Sequence, residues 1–324
     1  MEDRLNGLLR LAIKYQATDI HFTNYMHETK IEMRIDDIIR PVKVERGDAK
    51  LIRYLQYLAN LDVGNLLKPE TGQFEWFVDD MNLSLRFALI ADTKMENGVL
   101  RILNNRYQID IDNLSIDKKQ IDFFKSILNL RNGLFIVSGP TGSGKTTTLY
   151  TMLASVKNKK IFTIEDPVEI HAEGFVQIGI NSAINFGYDE AIKQVLRHDP
   201  DIIMIGEIRD EITAKMAIRA ANTGHLVLST IHAPNCILSI ERLLELGVSR
   251  FQLENVLVGL ASQRLFTKKN SKSKIAFFET MNRKMIETFF QNKNPHVYQP
   301  LKETIQAAAK LNLIDAKEAN KEIL

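Results

Sequence analysis

One eight-residue stretch limits the folds open to this chain more than any other feature: Gly139-Pro140-Thr141-Gly142-Ser143-Gly144-Lys145-Thr146. It spells G-x-x-x-x-G-K-T, which arises by chance in roughly one chain of this length in a hundred. The stretch follows an apolar run, Leu134–Val137, and precedes a helix-compatible segment from Thr147 onward. That strand–loop–helix setting is the one in which such a loop cradles phosphate. Glycines let the backbone curl so that several N–H groups point at one anion, and the helix adds the positive end of its dipole. The expected ligand is ATP with Mg²⁺. Lys145 then reaches the β- and γ-phosphates, the Thr146 hydroxyl holds the metal, and Thr147 completes the cradle.

The rhythm around the loop predicts an α/β domain over residues 118–265. Short apolar runs recur at Leu134–Val137, Ile161–Ile164, Ile202–Ile205 and Leu226–Leu228, separated by helix-length segments. Strands buried on both faces read this way because they need not alternate. Ahead of it, residues 1–105 mix periods. Leu5, Leu8, Leu9, Ala12 and Ile13 keep helical spacing, as do Leu51, Leu55, Leu58 and Ala59. Ile31, Met33 and Ile35 alternate with Glu32 and Arg34, and further strands are expected at Phe74–Val78, Leu83–Leu89 and Val99–Leu103. This is the pattern of a small α+β domain. The polar stretch at 106–117, beginning in an Asp/Asn-rich run from Asn104, is expected to be a linker. Residues 266–324 carry 11 Lys/Arg against 6 Asp/Glu and are expected to form a basic helical region.

Two further segments supply chemistry. Asp201-Ile-Ile-Met-Ile-Gly206-Glu207 is an apolar run ending in a carboxylate, and ligands of open α/β sheets sit at the carboxyl ends of strands. Glu207 is thereby placed to orient or deprotonate an attacking water. Gly206 stands where many such sites have an Asp that supports the metal, so another carboxylate is expected to help hold it, with candidates in Thr163-Ile-Glu165-Asp166-Pro-Val-Glu169. Glu165 and Glu169 are also the alternative catalytic bases to Glu207. His225 and His232 bracket another strand. His232 is at its carboxyl end, where it can sense a γ-phosphate, whereas His225 lies at the opposite end, as a ligand or a satisfied structural histidine.

Composition narrows the class. Lys+Arg numbers 42 and Asp+Glu 40, a net charge of +2, and no basic–aromatic segment is present, so direct nucleic-acid binding is not expected. A lone cysteine, Cys236, excludes an internal disulfide and a cysteine metal cluster. No run of 18 apolar residues occurs and no signal-peptide pattern opens the chain, so a cytoplasmic protein is expected.

In their order along the chain, Gly139–Thr146, Glu165-Asp-Pro-Val-Glu169, Gly206-Glu-Ile-Arg-Asp210 and Thr223-Gly-His225 through His232 resemble the secretion ATPase family, which powers type II secretion, type IV pili and competence pseudopili. The middle two match its Asp box and its Walker B with glycine before glutamate, and the last its His box. The resemblance reaches the first domain in Ala17-Thr-Asp19-Ile-His21 and Arg34-Ile-Asp36-Asp37, and continues to Ala261-Ser-Gln-Arg264-Leu265. Pro69-Glu70-Thr-Gly72 and Asp37 depart from the family spelling. Assembly and secretion members commonly carry a further N-terminal domain and a four-cysteine zinc subdomain, which Cys236 cannot make. The chain is therefore most similar to short competence-pseudopilus assembly ATPases, with pilus-retraction and type II secretion ATPases as the alternatives within the family, and a nucleic-acid motor or a nucleotide-gated scaffold as the alternatives of another class.

The resemblance implies a PAS-like α+β domain, then a RecA-like P-loop domain with a mostly parallel sheet, then a small helical region. It also implies a homohexamer at the inner face of the cell membrane that drives a polytopic membrane platform protein and, through it, pilin-like subunits. Catalytic roles are implied for Lys145 and Glu207. Arg86 and Arg101, on two alternating strands of the first domain, stand where the family places arginines that approach the γ-phosphate.

Overall fold

A computed structural model describes residues 1–26, 28–35, 38–64, 69–103, 109–168, 170, 172–181, 184–269, 271, 273–291 and 299–323. The chain divides into two compact units, Met1–Arg106 and Tyr107–Leu324.

The first unit runs α1 (Glu2–Tyr15), β1 (Asp19–Tyr25), β2 (Glu28–Ile35), β3 (Ile38–Val42), α2 (Leu51–Leu58), β4 (Glu70–Val78), β5 (Met81–Ala91) and β6 (Met95–Leu103). On α1 the apolar stripe Leu5, Leu8, Leu9 and Ala12 is fully buried, and Gln16 closes the helix in the left-handed conformation (φ 55°). The six strands form a sheet in the order β3-β2-β1-β6-β5-β4, with every neighbouring pair antiparallel. Both helices cover one face, where Phe22, Ile31, Met33, Leu85, Phe87 and Leu100 join the stripe in a single core. Alternation sends the intervening residues to the other face. Register lines up Arg34, Asp19, Arg101, Arg86 and Gln73 there as one row across five strands. The sequence left β1 and β3 unassigned, and β4 starts four residues before the expected Phe74. Glu70 to Gln73 are extended because they pair with Leu89 to Arg86, which their intrinsic preferences do not favour.

The second unit contains β7 (Gly133–Ser138), β8 (Ile161–Glu165), β9 (Phe175–Gly179), β10 (Ile202–Ile205), β11 (Leu226–Ile231), β12 (Leu257–Thr267) and β13 (Lys274–Asn282). Its helices are α3 (Lys118–Leu128), α4 (Lys145–Ala154), α5 (Tyr188–Val195), α6 (Glu211–Asn222), α7 (Cys236–Glu245), α8 (Arg250–Val256), α9 (Arg283–Phe290), α10 (Leu301–Lys310) and α11 (Ala316–Ile323). The strand order is β13-β12-β7-β11-β10-β8-β9, parallel throughout except for the β12–β13 pair. The four apolar runs are β7, β8, β10 and β11, buried from end to end between a core on each face. This is the RecA-like sheet that the sequence implied.

Two features differ from the sequence reading. In the stretch expected as a linker, Ile111 and Leu114 are buried against Phe124, Ile127 and Phe278, so residues from 109 onward pack as part of the second unit. Beyond residue 265 the sheet gains β13 before the helices begin. Ile275, Phe277 and Phe278 are apolar on both faces of that strand. Phe277 packs with Phe266 under Leu301 and Ile305 of α10.

Candidate nucleotide site

The phosphate loop leaves β7 and curls through three glycines of positive φ: Gly139 (149°), Gly142 (79°) and Gly144 (87°). At Gly139 a Cβ would lie 2.6 Å from the Gln263 carbonyl oxygen and 2.6 Å from Ser143 Oγ, so no other residue fits. Gly144 turns the chain into α4, which begins at Lys145. The Lys145 side chain folds back over the loop, and Nζ donates to the carbonyls of Gly139 and Pro140 at 3.0 Å each. Burial pushes its pKa below the ordinary lysine value, opposed by Glu207 and reinforced by Arg264. Ser143 Oγ is buried and has no hydrogen-bond partner among the described residues.

A cavity of about 440 Å³ opens over the loop, lined by Thr141, Gly142, Gly144, Lys145, Thr146 and Thr147 on one side. Opposite them stand Glu165, Asp166, Tyr188, Glu207, Arg209 and His232. Parallel pairing of β10 with β11 carries Glu207 and His232 out of the sheet side by side. Thr230 Oγ1 fixes that edge by donating to the Gly206 carbonyl at 2.7 Å. Glu207 is held from both sides: Oε1 is 3.1 Å from His232 Nε2, and Oε2 accepts from Arg209 Nε at 2.8 Å. That bond raises the Arg209 pKa. Gly206 has a local explanation, because a Cβ there would sit 3.3 Å from the Ile164 carbonyl oxygen and 3.5 Å from Glu165.

Glu165 reaches the cavity wall but is buried and committed. Its Oε1 accepts from Tyr150 (2.5 Å) and Thr163 (2.6 Å), and Gln177 Nε2 donates to the Tyr150 hydroxyl at 2.7 Å. Burial, then the charge of Glu165, pushes the Tyr150 phenol far up, so it remains a donor. Tyr188 is raised in the same way, chiefly by burial. Glu169 lies outside the described residues. His225 Nδ1 sits 3.2 Å from both the Ala220 carbonyl oxygen and Thr223 Oγ1, a structural bond at the end of α6.

A second cavity of about 200 Å³ adjoins the first through Gly144, Thr147 and Leu265. It is mainly apolar, with Leu114, Ile116, Ile275 and Ala276 in its walls and Lys268 and Lys274 among its lining. No local pattern marks it, since its walls come from segments about 160 residues apart.

Arg86 and Arg101 are direct cross-strand partners on the helix-free face of the first unit. Arg101 Nε donates to Asp19 Oδ1 at 2.7 Å, and Thr18 Oγ1 donates to Oδ2 at 2.8 Å. Asp19 is buried while Arg101 is exposed, so the carboxylate anchors a cation that points outward. Sequence reasoning gave no role to Tyr150, which bonds Glu165, or to Asp19 as the anchor of Arg101; Arg209, just beyond Glu207, stands where it is expected to brace that loop.

A parallel sheet with a glycine-rich loop between β7 and α4, and a carboxylate leaving β10 beside it, defines a RecA-like P-loop nucleotide-binding domain. The model of the type II/IV secretion system protein family matches residues 1–308, and the chain belongs to that family. It is 37% identical over 265 residues to the competence protein ComGA of Bacillus subtilis (strain 168), covering 80% of this chain and 74% of that one. With ComGA of Halalkalibacterium halodurans it shares 32% over 340 residues, covering 98% and 97% of the two chains. The putative type II secretion system protein E of Escherichia coli (strain K12) is 36% identical over 266 residues, which is 81% of this chain and 54% of that one. The chain thus spans about half the length of its type II secretion relatives. Among solved structures, the pilus retraction motor PilT with bound ADP superposes with a TM-score of 0.76 at 25% identity, covering 98% of this chain and 96% of that one. The Legionella pneumophila ATPase DotB shares the fold at a TM-score of 0.80 and 17% identity, covering 100% and 96%.

Proposed function

We propose that this protein is the ATP-hydrolysing motor of a competence pseudopilus, acting in DNA uptake. One observation carries the ATPase part: Glu207, Lys145 and Thr146 line one cavity, so a water-orienting carboxylate faces a phosphate cradle. The loop fits a nucleotide phosphate, since the buried Ser143 hydroxyl and the Lys145 ammonium, bonded only to loop carbonyls among the described residues, are the groups a phosphate would engage. Backbone amides of 142–146 would hold the phosphates, the second cavity would take base and sugar, and Lys145 would balance charge on the γ-phosphate. Among the described residues no cluster of three metal-ligating side chains exists. Thr146 and the phosphates would hold Mg²⁺, which when bound neutralises charge on the β- and γ-phosphates. Glu207 would accept a proton from water, with His232 and Arg209 fixing its orientation.

Arg86 and Arg101 complete the reading as cations supplied by the first unit to the γ-phosphate, with Asp19 aiming Arg101. The working form would be a homohexamer on the inner face of the cell membrane, turning a polytopic platform protein that extrudes pilin-like subunits without touching nucleic acid. Among the described residues no helix is long and apolar enough to cross a membrane. The two ComGA relatives, matched over 74% and 97% of their length, support the competence role. The similarity to protein E and to PilT favours type II secretion or pilus retraction as the second reading.

The test pairs phosphate release by the purified protein with transformation of the host strain. ATP hydrolysis in vitro, with loss of DNA uptake on gene deletion restored by wild type but not by Glu207→Gln, is expected. Unimpaired uptake in the deletion strain overturns the competence role, and absence of any nucleoside triphosphatase activity overturns the motor.

A further inference from the structure

Gln263 belongs to β12, 119 residues beyond the last glycine of the phosphate loop, yet it touches both ends of that loop. The parallel register pairs Ser262 with Ser138, which brings Gln263 alongside Gly139 as the loop leaves β7. Its carbonyl oxygen stands 2.6 Å from the point a Gly139 Cβ would occupy, and its Nε2 stands 3.0 Å from the equivalent point at Gly144. Its Oε1 accepts a hydrogen bond from Thr148 Oγ1 at 2.8 Å, one turn into α4. Gln263 is 2% exposed and Thr148 1%. A buried carboxamide fixed in this way ties the start of α4 to β12 and leaves little room for a side chain at Gly144, where a Cβ would lie 3.0 Å from its Nε2.

We propose that Gln263 is a positioning residue of the nucleotide site, holding the phosphate loop and the first turn of α4 in the anion-binding shape through Thr148. This rests on the nucleotide-site reading and deepens it. The physical reason is pre-organisation. The loop amides bind phosphate only if they converge before the ligand arrives, and convergence requires the first and last glycines to be fixed relative to each other. A backbone with three left-handed glycines lacks that stiffness by itself. The neighbouring strand supplies it at Gly139 through the Gln263 main chain and at Gly144 and Thr148 through the Gln263 side chain. Removing the acceptor also leaves the buried Thr148 hydroxyl without its partner, and this is relieved by rotation of the residue that carries it.

The test is a double-mutant cycle on Gln263→Met and Thr148→Val, both near-isosteric, with Thr148→Ser retaining the donor. Dissociation constants for MgATP and for inorganic tripolyphosphate are measured on folded protein well below each unfolding midpoint, beside KM and kcat. Gln263→Met and Thr148→Val should each weaken both ligands about 10- to 100-fold, and the double variant should be no worse than the singles. Thr148→Ser should bind nearly as wild type. KM should rise with kcat little changed, because Glu207 and His232 are untouched. A merely structural bond would lower the unfolding temperature and leave both dissociation constants alone, and that result overturns the proposal. Additive effects in the double variant, or weakened ATP with unchanged tripolyphosphate, overturn it as well. Should Gln263→Met not fold, the Thr148→Val and Thr148→Ser pair decides, since wild-type affinity in Thr148→Val refutes the coupling. If wild-type protein binds neither ligand, the nucleotide-site reading fails instead.

Discussion

Glu207 Oε1 and His232 Nε2 lie 3.1 Å apart at the carboxyl ends of adjacent parallel strands, while Arg209 Nε donates to the other carboxylate oxygen at 2.8 Å. A carboxylate held at both oxygens has one orientation, and the one it has faces Lys145 across the cavity. Glu207→Gln keeps the size and loses the charge, so nucleotide binding should persist while turnover falls by roughly 10²-fold or more. Fluorescent-nucleotide affinity measured beside phosphate release checks this. Parental turnover in the variant would remove Glu207 from the catalytic role.

Lys145→Ala deletes the cation at the heart of the loop. Nucleotide affinity and turnover should both collapse, because no other lysine among the described residues lines the cavity. Isothermal titration with the purified, folded variant is the measurement, and near-wild-type hydrolysis would sink the site assignment.

The lowered pKa of Lys145 has a sign that can be read in solution. Without ligand, burial favours the neutral amine; bound phosphates favour the ammonium and raise the pKa again. Nucleotide binding should therefore take up protons below the ordinary lysine range, and affinity should fall as pH rises through the lowered value. Binding heats compared across buffers of different ionisation enthalpy give the proton count. Proton release, or none, contradicts the assignment.

In the first unit, Arg86→Ala and Arg101→Ala should retain Mg²⁺-dependent ATP binding and lose turnover, by up to about 10³-fold. Asp19→Asn should resemble Arg101→Ala, since it removes the buried negative charge that aims Arg101 and puts an NH2 donor in place of one carboxylate oxygen. Full activity in all three would refute a catalytic role for that row.

Phe124 is fully buried, edge-on to Phe278 at 5.0 Å and to Phe135 at 6.2 Å. Phe124→Ala should destabilise the second unit by about 3–5 kcal/mol, the usual cost of deleting a buried aromatic ring. Urea denaturation followed by circular dichroism measures it, and a loss below about 1 kcal/mol would show that the core collapses around the gap.

What the sequence determined by itself was local. The phosphate loop is legible because its glycines, lysine and threonine act within one turn of chain, where spacing equals geometry. The buried strands β7, β8, β10 and β11 are legible because a strand covered on both faces must be apolar throughout. Glu207 and His232 could be placed separately at strand ends, but their pairing follows from which strands are neighbours. Tertiary structure alone decided the rest. Gln263 meets Gly139 and Gly144 through the β12–β7 register, and Asp19 meets Arg101 through the β1–β6 register. Residues 109–117 pack rather than link because Phe124 and Phe278 form a floor for Ile111 and Leu114. Each of these contacts joins residues whose own composition is unremarked, polar or short-patterned, so nothing in their local spacing encodes the partner. The hydrophobic pattern fixes which elements form. Strand order and register, set by packing across the whole core, fix which side chains meet.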